Sequence, residues 1–107
     1  MEPKQLFFLL IFLAVALEAV GDVLIKKWAL GEKSFFLIVG VALYFIGSAF
    51  WIVSLKYEYL SKAISIFTIL NLIVVVLAGV VLFKENLTTI NKIGIMLGIV
   101  SVALIEL

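Results

Sequence analysis

Four long apolar runs dominate this sequence of 107 residues: Leu6–Trp28, Phe35–Leu55, Ala63–Phe83 and Thr89–Ile105. At about 1.5 Å of rise per residue, a run of roughly 18 or more apolar residues is what an α-helix needs to cross the hydrocarbon of a bilayer. The expected fold is therefore an all-α membrane protein, with one four-helix transmembrane domain over residues 1–107 and helices at about 6–28, 35–55, 63–83 and 89–105. Only a few residues join one run to the next, so neighbouring helices must be antiparallel and packed. No soluble domain, linker, low-complexity tract or convincing internal repeat is visible. With 66% hydrophobic and 14% charged residues, and a mean hydropathy of +1.39, the composition agrees with a chain whose solvent is lipid.

One residue breaks the apolar pattern at depth. Glu18 lies close to halfway along the first run. An ionisable group there is costly unless it is protonated, paired or wet, which marks it as a functional-site candidate. Asp22 follows one helical turn later and Lys26 one turn beyond, and residues four apart share a helix face. The three form a stripe from mid-membrane to the surface. Lys26 is placed to offset Asp22 and to extend towards the headgroups. Glu18 has Ala14 one turn back, so it is the acid left without a partner.

Composition narrows the chemistry further. The net charge is +1 and no basic cluster suggests nucleic acid; all eight cations are Lys, so the forked clamp that Arg makes on carboxylate or phosphate is missing. There is no Cys and no His. Disulfides, thiolate metal sites, imidazole ligands and the usual proton shuttle are excluded, and neither a cofactor, a metal nor enzymatic catalysis is expected. Lys4, Leu6–Leu13 and Ala14-Val15-Ala16 imitate a cleavable signal, but the apolar run continues to Trp28, which is spanning length. Charge encodes topology weakly. Lys4, Lys56 and Lys62 fall on the face with the termini and middle loop, against Lys26, Lys27, Lys33, Lys84 and Lys92 on the other.

Other polar residues lie inside the runs. Gly40, Tyr44, Ser48 and Trp51 share one face of the second, and Ser65, Thr68 and Asn71 lie in the third, with Asn71 near the depth of Glu18. Hydroxyls and amides there glue helices together or bond their own backbone, and that is the plainer reading of Ser48, Ser65 and Thr68. Asn71 must find partners in hydrocarbon, and Tyr44 and Trp51 suit either a packed core or a cavity wall. Trp28, Tyr57 and Tyr59 sit at segment ends as interfacial residues. In the fourth run Gly94 and Gly98 form a GxxxG pair that Ser101 extends, a small-residue seam of the kind that lets membrane helices associate. Four helices make a thin bundle, and alternating access needs two repeats or subunits around a central site. A dimer would bring two Glu18 carboxylates into one cavity, an arrangement suited to exchanging protons against a cation.

The segment Leu17-Glu18-Ala19-Val20-Gly21-Asp22-Val23-Leu24-Ile25-Lys26 resembles the first helix of the small multidrug resistance family, where an embedded Glu is followed by Gly and then Lys, here Glu18, Gly21 and Lys26. The resemblance extends through Phe50-Trp51, Phe83-Lys84-Glu85 and Gly94. It implies an antiparallel, dual-topology homodimer exporting cations in exchange for protons, with Glu18 binding both. In the third run the family's substrate-contacting Tyr and Trp are replaced by Ile66 and Ile69. Leu70-Asn71, Leu77-Ala78 and Lys84-Glu85 there look more like the small subunits that flip undecaprenyl-linked aminoarabinose. Both groups belong to the drug/metabolite transporter superfamily.

Three readings result. The first is a proton-coupled exporter of small organic cations in a prokaryotic inner membrane, with Glu18, Asp22, Tyr44, Ser48, Trp51 and Asn71 at the substrate and proton site and Gly94, Gly98 and Ser101 at a dimer interface. The second is a subunit of a lipid-linked sugar flippase, partnered by itself or by a paralogous chain. The third is a non-transporting assembly protein, disfavoured by the buried acids and by a chain that stops at Glu106-Leu107 without a charged tail.

Overall fold

The structure is a computed structural model that describes residues 2–107. Four helices follow one another: α1 (Pro3–Ala29), α2 (Ser34–Ser54), α3 (Leu60–Leu82) and α4 (Thr89–Glu106). Each is long and apolar enough to cross a membrane, and the chain is an integral membrane protein. The helices match the apolar runs to within about a turn at each end. The largest departures are at two starts: α1 begins at Pro3 rather than Leu6, and α3 at Leu60 rather than Ala63 because Ser61 and Lys62 join its first turn.

Local chemistry explains the ends. Pro3 opens α1 where a missing N–H costs nothing. The α1 terminus closes with Gly31 at φ 102, the Glu32 N–H donating to the Lys27 carbonyl and the Gly31 N–H to the Trp28 carbonyl, a glycine-dependent cap. Thr88 caps α4, its hydroxyl accepting from the Asn91 N–H at 3.1 Å while Asn91 Oδ1 accepts from the Thr88 N–H.

Packing is uneven. α1 is the central element, lying along α2 and against α3, while α4 packs on α3 from outside and buries no residue. A Lys4–Glu106 ion pair of 3.5 Å joins the start of α1 to the end of α4. The tight core sits at that end of the molecule, where Phe7, Ile11 and Val15 of α1 meet Ala63 and Ile66 of α3. The Trp51 and Phe67 rings pack against this core with centroids 4.8 Å apart. Towards the other end, α1 and α3 part.

Candidate functional site

Where α1 crosses α2, small residues let the backbones touch. A Cβ on Gly21 would stand 2.8 Å from the Gly40 carbonyl oxygen, and one on Gly40 only 2.7 Å from Ile25 Cγ1. Two turns further along α2, a Cβ on Gly47 would meet Glu18 Cγ at 2.8 Å and the Ala14 carbonyl at 3.1 Å. The stem of Glu18 therefore lies flat on Gly47. One carboxylate oxygen of Glu18, Oε2, is fully buried and has no hydrogen-bond partner.

One turn up α1, Asp22 accepts a hydrogen bond from the Tyr44 hydroxyl of α2. The expected pairing with Lys26 is not formed. Among the described residues the ion pairs are Lys4–Glu106 and Lys62–Glu58, and Lys26 is exposed. The phenol competes better because α2 is pressed against α1 at Gly21 and Gly40, which brings the Tyr44 ring alongside Gly21.

Asp22 and Lys26 also face a cavity of about 460 Å³ where α1 and α3 diverge. Ala19, Asp22, Val23 and Lys26 supply the α1 wall; Thr68, Asn71, Val75 and Gly79 belong to the α3 wall; Phe83 and Glu85 stand at the α3–α4 end. The Phe7–Ile11–Val15–Ala63–Ile66 core lies beyond its deep end, and Lys26, Phe83 and Glu85 set its other end beside the α1–α2 and α3–α4 loops. Asn71 brings a second unpartnered acceptor, its buried Oδ1. The cavity thus combines apolar walls with an excess of acceptors, which suits a ligand carrying positive charge or several N–H and O–H donors.

The residues singled out from sequence separate into groups. Asp22 and Asn71 line the cavity together, and Tyr44 reaches it only through Asp22. Glu18 adjoins Ala19 at the cavity's deep end but is turned to Gly47 on α2. Trp51 belongs to the packed end with Phe67, and Ser48 is half-buried on α2, which contributes nothing to the cavity lining. On α4, Gly94 faces open space, Ser101 is exposed, and Gly98 has Ile69 Cγ2 of α3 3.7 Å from its would-be Cβ. Two residues at the site are not marked as site residues by the sequence. Gly47 shares with Gly40 a seven-residue spacing that signals a helix seam, and Glu85 reads as an ordinary loop charge until its fold is seen.

Compared with known proteins, residues 5–107 match the EamA-like transporter family. No curated protein and no solved structure matches the chain.

Proposed function

The chain belongs to the EamA-like transporter family, and on that premise we propose that it is a proton-coupled exporter of small organic cations, working as a dimer in a prokaryotic inner membrane. The observation that carries this reading is the buried, unpartnered Oε2 of Glu18. An ionised carboxylate without a partner in that setting is costly; a proton or a cation removes the cost, and the two compete for the same oxygen. When the cation arrives the proton leaves to water, and when it departs the proton returns. Asp22, held by Tyr44, and Asn71 supply further acceptors along the cavity. In this reading the dimer is a homodimer whose two Glu18 side chains share one site and whose chains insert in both orientations.

The test is reconstitution of the purified protein in liposomes, with a pH gradient imposed and proton flux recorded across a panel of small cations. Substrate-driven proton movement supports the reading; its absence for every cation sinks it. The lipid-linked reading has one observation in its favour, Lys26 on the cavity wall, a compact charge suited to a phosphate. In that case Lys26→Gln abolishes transport, whereas a cation exporter keeps its activity when that charge is removed.

A further inference from the structure

α3 ends, as α1 does, in a left-handed cap, but with Lys84 where α1 has Gly31. Lys84 holds φ at 53, in the left-handed region that residues with a side chain seldom occupy. This turns the chain back on itself, so that the Glu85 N–H donates to the Gly79 carbonyl at 3.2 Å, a bond shared with the Phe83 N–H at 3.1 Å. The Glu85 side chain is thereby laid against Gly79, and the absence of a side chain there is what makes room: a Cβ on Gly79 would collide with the Glu85 carboxylate. Gly79 is itself buried.

The result is an acid folded back over the cavity instead of pointing away into the loop. Glu85 lines the cavity with Asp22, Lys26 and Asn71, and it belongs to neither of the ion pairs found among the described residues. It stands at the loop end of the cavity, away from the Phe7 core. Deeper in the same cavity the buried Oδ1 of Asn71 has no partner. Two elements therefore converge acceptors on one space, and the cap that ends α3 lays the outermost of them against Gly79.

We infer that Glu85 is a specificity-determining residue of the cavity: it selects cations at the loop end, ahead of Asp22, with Gly79 and Lys84 as its positioning residues. The inference rests on the cation-export reading and adds a residue to it. Being solvent-exposed, the carboxylate acts by raising the local concentration of cations and by partly offsetting their charge on entry. Its effect accordingly falls on apparent affinity and is screened by salt.

The test uses the full chain in proteoliposomes with tetrapropylammonium as the probe, a cation whose charge does not change with pH. At low ionic strength Glu85→Gln is expected to raise KM about two- to fivefold, the range of a single exposed ion pair, with the maximal rate kept. Glu85→Asp should recover most of the loss. Gly79→Ala should mimic Glu85→Gln although no charge has been removed, because the added methyl displaces the carboxylate. Glu32→Gln, an equal charge change in the α1–α2 loop and outside the cavity, should leave KM at the wild-type value, and high salt should bring the Glu85→Gln and wild-type values together. An unchanged KM for Glu85→Gln, or an equal rise for Glu32→Gln, overturns the role of Glu85 while leaving cation export standing. Failure of the wild-type protein to move the probe or any other small cation overturns both.

Discussion

Glu18 is held by its stem and left free at its head. Gly47 lies against the Cγ methylene, so the side chain has little freedom to swing, yet Oε2 finds no donor. Fixed position and an unfilled oxygen are what a site shared by a proton and a cation requires. Glu18→Gln keeps the size but carries no exchangeable proton, and coupled flux in liposomes should fall to that of empty vesicles. The same change removes a buried ionisable group, so the melting temperature in detergent should hold or rise. Flux at the wild-type rate would end the exchange model. Asp22 differs, because Tyr44 already satisfies one of its oxygens. Asp22→Asn should slow transport severalfold without abolishing it, and Tyr44→Phe should cost about 1 kcal/mol of stability, the ordinary worth of one hydrogen bond, read from the shift in unfolding midpoint. Should Asp22→Asn silence the protein while Glu18→Gln does not, the roles of the two acids are reversed.

Between elements, the interfaces are of two kinds. α1 and α2 are joined at backbone distance through Gly21, Gly40 and Gly47. Gly47→Leu has nowhere to put its side chain, because even a Cβ meets Glu18 Cγ at 2.8 Å. It should destabilise by about 1–3 kcal/mol, as overpacking does, and disturb Glu18 directly. Gly94 is the opposite case, since nothing lies within 4 Å of its would-be Cβ. Gly94→Leu should leave the single chain folded, with an unchanged melting temperature. If α4 is the dimer face, it should convert dimers to monomers by light scattering in detergent; unchanged mass moves the interface elsewhere. The helices themselves were legible in the sequence, since length and apolarity alone decide whether a segment can span, and so was the odd position of Glu18, which depth alone reveals. The pairing of Asp22 with Tyr44 was not, because it depends on how closely two helices approach 22 residues apart in the chain. On one helix considered alone, the i,i+4 residue Lys26 is the partner the spacing offers. Trp51 was ambiguous for the same reason: a helix face says which residues travel together, not which end of the neighbouring helix they meet. Glu85 was hidden by a backbone angle at Lys84 that no residue-type preference announces.

For the molecule as a whole, competition between proton and cation makes a thermodynamic statement. If binding a cation expels one proton from the site, apparent affinity must tighten as pH rises, by up to about tenfold per pH unit while the site is protonated, and it levels off once the site has ionised. Calorimetry of tetrapropylammonium binding in two buffers of different ionisation enthalpy counts the protons directly; a count of zero from about pH 5 to 9 rules out shared occupancy. The proportions of the chain carry a separate consequence. Its principal extents are 43 × 34 × 19 Å, and a helix with its side chains is about 10–12 Å across. The single chain is therefore at most two helices deep, and every span leaves much of its length to be covered by lipid or by a second copy. Such a chain has a perimeter but scarcely an interior, so whatever borders it, a second copy or the bilayer, forms part of its wall. Bilayer thickness and acyl composition then become variables of the same rank as a mutation, and a rate measured in one lipid describes the pair, protein with membrane, rather than the protein alone.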